Sequence, residues 1–179
     1  MITVVGGAAR KSGKTSVVAG IISALPEFAW TAIKISAHEH GAGWGVAEER
    51  LPSGTDTGRY LAAGARRAFW IRASGEGLWS AAEHIGRLAS AGEPTIVEST
   101  SILRYLQADL AMLVLGACDA PAKESARAAR SRVDAVILTR ADSLPPAGQA
   151  RCFRVTPPQY VTPAIAAFVR GKLSAASAS

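Results

Sequence analysis

The chain has 179 residues, 49% of them apolar, which is the size and composition of one globular domain with a sizeable buried core. Its formal net charge of +6 is carried by scattered arginines rather than by one basic run, so a nucleic-acid partner is not expected. Two distant cysteines, Cys118 and Cys152, exclude a disulfide framework or zinc knuckle, and the lack of an export signal or a membrane-length apolar run leads us to expect a cytoplasmic domain with no membrane partner.

Short Val- and Ile-rich runs alternate with longer stretches of helical period, the pattern of a mostly parallel sheet covered by helices on both faces. The first predicted strand covers 2–5 and is followed by Gly6-Gly7 and a helix over 14–25. A strand over 29–35 comes next, then 38–54, which is Gly-rich, contains Pro52, lacks a clear period and reads as a mobile loop. A helix over 56–63, capped by Thr55 or Asp56 and ended by Gly64, precedes a strand over 68–71. A helix over 78–89 leads to strands at 95–98 and 110–115, then a helix over 122–130 and a strand at 135–139. A short strand at 152–155 and a helix over 163–173 end the domain, and the Ser/Ala tail 174–179 has nothing to bury and is expected to fray. The fold class is therefore α/β, a three-layer arrangement with about seven strands, in a single domain spanning 1–173.

Residues 8–15, Ala-Ala-Arg-Lys-Ser-Gly-Lys-Thr, lie between the first strand and the first helix and match a phosphate-binding loop. Such a loop turns successive backbone N–H groups toward phosphate oxygens, and the helix N-terminus adds its positive end. Ala9, Lys11, Ser12 and Gly13 would supply the cradle, Lys14 the charge on the β- and γ-phosphates, Thr15 a hydroxyl for Mg²⁺, and Ser16 a contact near the α-phosphate. The strict pattern begins with Gly, whereas this chain has Ala8, and a positive φ there would cost roughly 1 kcal/mol.

Downstream, Glu98 closes the strand at 95–98 on the carboxyl edge of the sheet, where open α/β folds bind ligands. It is a candidate to hold Mg²⁺ or to polarise an attacking water; otherwise it is a surface acid, and the Ser99-Thr100-Ser101 after it suits a short helix cap. Thr139-Arg140-Ala141-Asp142 resembles the Asn/Thr-Lys-x-Asp signature by which GTPases read guanine, with Asp142 accepting from the base and Arg140 in place of Lys. His38 and His40 are half a metal site at most and read more simply as exposed or substrate-facing, while Trp44 is a candidate ring contact or lid residue.

Taken together, the phosphate loop, Ile33-Lys34 with the following histidines, Gly54-Thr55-Asp56-Thr57-Gly58-Arg59, Ala63-Gly64-Ala65 and Val97-Glu98 resemble the molybdopterin-guanine dinucleotide biosynthesis adapter (MobB-like) family of P-loop GTPases. The resemblance runs from the N-terminus to about Asp142, with Thr55, Ser99 and Arg140 standing where that family tends to have Lys, Gly and Lys. It implies that Asp56 is a switch-loop acid near Mg²⁺ and that Arg59 contacts a phosphate or pterin phosphate. It also implies GTP rather than ATP as nucleotide, slow hydrolysis with Asp56 or Glu98 orienting the water, a homodimer, and a molybdenum-cofactor nucleotidyltransferase as partner. A small-molecule kinase or a general NTPase remains the alternative, because the phosphate loop itself is common to all of them.

Overall fold

β1 (Ile2–Gly7) is buried along its whole length, because the Ile-Thr-Val-Val run presents a side chain to each face of a sheet that is covered on both sides. The computed structural model describes residues 1–9, 11–37, 44–116, 128–129, 132–140 and 150–177. The remaining strands are β2 (Thr31–Ser36), β3 (Trp44–Glu49), β4 (Arg67–Ala73), β5 (Thr95–Glu98), β6 (Leu110–Leu115), β7 (Ala135–Leu138) and β8 (Arg151–Arg154). They form one sheet of eight strands in the order β3-β4-β2-β5-β1-β6-β7-β8. Every pairing is parallel except that of β3 with β4, so the expected parallel sheet gains one antiparallel edge.

The helices among the described residues are α1 (Lys14–Ala24), α2 (Asp56–Ala62), α3 (Gly77–Ser90) and α4 (Pro163–Ser177). One face of the sheet packs on Val17, Val18, Ile21 and Ile22 of α1, Tyr60 of α2, and Ile165 and Val169 of α4. The other face packs on Leu78, Ala81, Ala82 and Ile85 of α3. Each fully buried Ile or Val contributes about 1.5–3 kcal/mol relative to exposure, and two such layers hold the sheet between them. No helix among the described residues is long and apolar enough to cross a membrane.

Three sequence readings change. The segment expected to be a structureless loop contains β3, a strand whose residues are largely exposed. Its sequence, Trp-Gly-Val-Ala-Glu-Glu, carries no burial signal because an edge strand is held by backbone pairing with β4 rather than by two packed faces. β2 begins at Thr31 rather than at 29, since Ala29 takes a left-handed φ of 46° after the short 3₁₀ turn Pro26–Phe28. α4 runs on to Ser177, well into the Ser/Ala segment read as a fraying tail. The helix expected over 122–130 lies almost wholly outside the described residues.

This topology sets the position of a ligand. The chain leaves β1 for β2, builds the sheet on that side through β3, β4 and β5, and then crosses to β6, β7 and β8 on the other. The carboxyl end of β1, between β5 and β6, is the point where the winding reverses, and a crevice opens there.

Candidate phosphate-binding site

The loop leaving β1 is shaped by a few backbone requirements. The Ala8 N–H donates to the Val114 carbonyl at 3.2 Å, so Ala8 extends the pairing of β1 with β6 and does not take a positive φ. The strain expected at Ala8 lies instead at Lys11, with φ 58°, and the next left-handed position falls on Gly13, φ 94°. Gly7 is needed for space: a Cβ there would stand 2.5 Å from Ser12 Oγ and 2.7 Å from Lys14 Cδ. Its absence lets the stem of Lys14 lie across the strand end, where Lys14 Nζ donates to the Ala9 carbonyl at 2.7 Å and to Ser12 Oγ at 3.2 Å.

Thr100, read from the sequence only as part of a candidate helix cap, and Tyr160, which sequence reasoning did not single out, brace this loop. Thr100 Oγ1 accepts from the Gly7 N–H at 2.9 Å and donates to the Gly7 carbonyl at 3.0 Å, tying the end of β1 to the turn after β5. Tyr160 lies over Gly13, so that a Cβ on Gly13 would approach the ring to 2.5 Å. Neither carries a local motif, since each acts across a long chain separation. Ser99 does cap the following 3₁₀ turn, as its Oγ accepts from the Ile102 N–H at 3.3 Å.

Beside the loop, a group of charged side chains converges. Glu98, only 2% exposed, accepts from Thr15 Oγ1 at 2.8 Å and from the Tyr60 hydroxyl, and its other oxygen pairs with Lys34. Lys34 Nζ also lies 3.1 Å from Asp56. A buried carboxylate is tolerated only when paired and hydrogen-bonded, and Glu98 has all three partners. Tyr60 is fully buried, and its burial, then the adjacent Glu98 charge, push the phenol far above its ordinary range, so it stays protonated and donates to Glu98.

Asp56 is placed by the start of α2. Thr55 caps that helix by accepting from the Gly58 N–H at 3.0 Å. Glu49 of β3 receives the hydroxyls of Ser53, Thr55 and Thr57, which hold its carboxyl below the usual range. Arg59, one turn further along α2, donates to Ser16 Oγ at 3.2 Å and so links α2 to the start of α1.

These elements enclose a cleft of about 700 Å³. Ala9, Lys11, Ser12, Gly13, Lys14, Thr15 and Ser16 line it, as do Asp56, Arg59 and Glu98, so most of the residues singled out from the sequence are gathered in one place. Lys34 and Ser36 extend its wall along β2, and Thr100 and Tyr160 also reach it. Arg140 is exposed beyond β7, where its carbonyl accepts from Arg154 at 2.7 Å, and it does not line the cleft. Trp44 packs toward His84 of α3, with ring centroids 6.0 Å apart, on the opposite side of the sheet from Lys34. Asp142, His38 and His40 lie outside the described residues.

The donor set suits a magnesium ion: the Thr15 hydroxyl and the carboxylates of Glu98 and Asp56 are hard oxygen ligands, and both acids already converge on one cation, Lys34. The left-handed turns at Lys11 and Gly13, with the Lys14 stem seated over Gly7, likewise suit a phosphate chain approaching the backbone closely.

No protein-family model matches the chain, and no curated protein matches it. Among solved structures the chain is similar to LpxK from Aquifex aeolicus, crystallised as its "apo" form in complex with ATP, with a TM-score of 0.53 and 18% identity. The likeness covers 86% of this chain and 53% of that one, so this chain spans about half the length of its neighbour. At that identity the likeness speaks to the fold alone, a mostly parallel α/β sheet covered by helices.

Proposed function

We propose that this chain binds a nucleoside triphosphate with Mg²⁺ in the cleft at the end of β1. The observation that carries this reading is the meeting of Glu98 and Asp56 on one cation, Lys34, with Thr15 hydrogen-bonded to Glu98, next to a glycine-dependent phosphate loop. Lys14 would leave Ala9 and Ser12 for phosphate oxygens, and the N–H groups from 11 to 15 would face the same anion. Thr15, Glu98 and Asp56 would hold the metal, which when bound adds positive charge to the phosphates. Lys34, released from the acids, is then free to neutralise charge on the outer phosphate side of the cleft.

For the finer reading, GTP is favoured over ATP by the Thr139-Arg140-Ala141-Asp142 segment, with Asp142 as the reader of the base. The resemblance to the molybdopterin-guanine dinucleotide adapters supports slow hydrolysis and a role beside a nucleotidyltransferase, in a dimeric state. Titration with GTP, ATP and their diphosphates, with and without Mg²⁺, tests the assignment directly. Tight Mg²⁺-dependent triphosphate binding that Lys14→Ala abolishes is the expected result, and undiminished affinity in that variant would sink the site. Asp142→Asn is expected to lower the ratio of GTP to ATP affinity; an unchanged ratio removes the guanine claim.

One observation favours a second reading, phosphoryl transfer to an acceptor. The cleft does not stop at the phosphate loop but is also lined by Lys34, Ile35, Ser36, Ala37 and Ser101, where an acceptor would sit beside a bound nucleotide. Formation of nucleoside diphosphate that depends on an added acceptor supports transfer, whereas co-purification with a molybdenum-cofactor nucleotidyltransferase supports the adapter.

A further inference from the structure

The face of the sheet that carries α1 and α2 is only half covered at its β3 edge. Tyr60 of α2 packs with Ala32 of β2 and Ala68 of β4, but the helix begins at Asp56, level with Lys34. Beyond that level the strand register places Lys34 beside Trp70 and Ser36 beside Arg72, with Ala47 and Gly45 opposite them on β3. All of these share one face, because side chains alternate along each strand. Trp70 is 43% exposed there, and Arg72 and Ala47 are exposed with it.

The indole is nevertheless held in place. Its Nε1 donates to Ser36 Oγ at 2.7 Å, and the Arg72 guanidinium lies 5.3 Å from the ring centroid. Ser36, which fixes the indole, itself lines the phosphate cleft, as does Lys34, so the platform and the cleft are continuous. A large apolar ring left in water has no folding advantage, and one fixed by a hydrogen bond and flanked by a cation is a ready stacking surface.

We propose that Ser36, Trp70 and Arg72 form a subsite for a second small molecule, a planar ring compound bearing an anionic group, beside the phosphate cleft. Trp70 offers the ring face, and Arg72 offers positive charge to the substituent. Its place in a reaction rests on the nucleotide reading above, whereas its binding does not.

The probe is 1-naphthyl phosphate, titrated by calorimetry into the whole chain with and without a saturating non-hydrolysable nucleoside triphosphate and Mg²⁺. Binding is expected in both conditions, weakened about tenfold or more by Trp70→Ala and by Arg72→Met and restored by Trp70→Phe. Trp70→Ala, altering an exposed side chain, keeps nucleotide affinity and a cooperative melt. Absence of binding, equal binding by wild type and Trp70→Ala, or displacement of the probe by the nucleotide overturns the subsite. So does a wild-type dimer that Trp70→Ala converts to monomer, since a second copy then covers the face. A wild-type chain that takes up the probe yet no nucleotide sinks the nucleotide reading alone.

Discussion

Lys34 holds Glu98 and Asp56 together, and its behaviour separates a structural from a functional account of those acids. Replacing it by Met leaves the buried Glu98 with only neutral donors, Thr15 and Tyr60, and is expected to lower stability by roughly 2–3 kcal/mol in urea unfolding. If the acids form a metal site, millimolar Mg²⁺ recovers part of that loss in Lys34→Met and has no comparable effect on wild type. An equal response of both proteins would show that Lys34 and a metal do not compete. At the same scale, the lysine of the phosphate loop was legible from spacing alone, but the location of backbone strain was not. Ala8 continues the pairing of β1 with β6 because Val114 is available to accept its N–H, and the left-handed turn moves to Lys11. Lys11→Gly is therefore expected to be neutral or stabilising by up to about 1 kcal/mol in the same unfolding measurement, through relief of the unfavourable φ.

Among the elements, α3 and the β3 edge make the protein sensitive to acid. His84 of α3 packs against Phe69 and Trp44, with ring centroids 6.0 Å away in each case, and among the described residues its Nε2 has no hydrogen-bond partner. Burial, followed by the charges of Arg87 and Arg67, holds the imidazole below its ordinary value of 6.5. A depressed histidine means that the unfolded chain takes up the proton first, so stability is full above 6.5 and falls as pH drops from there to the folded value. His84→Phe is expected to flatten the fall in melting temperature between about pH 7 and pH 5, and an unchanged slope would place the acid sensitivity elsewhere. β3 itself escaped the sequence reading for a physical reason: alternation reports a strand only when one face is buried, and Trp44 and Val46 are both more than a third exposed. The central strands were readable because they are buried on both faces, and α2 because Thr55 caps it.

For the molecule as a whole, a ligand that binds only the folded chain must raise its melting temperature by mass action. At a hundred times the dissociation constant the gain is about 2.7 kcal/mol, which for a domain of this size is a rise of roughly 5–10 °C. That rise is expected with Mg²⁺ and triphosphate together, smaller with either alone, and lost in Lys14→Ala; equal melting curves with and without nucleotide would argue against an intact site. The sequence by itself determined the α/β class and the central strands, and marked residues 8–15 as a candidate phosphate loop, because hydrophobic period and motif spacing are local properties. Only the tertiary structure decided that Lys34, Asp56, Tyr60 and Glu98 meet, that Thr100 and Tyr160 brace the loop, and that Arg140 stands outside the cleft. Those facts depend on strand order: β5 comes to lie beside β1, and β2 beside β5, through crossovers, which bring together side chains dozens of residues apart and leave no trace in local sequence.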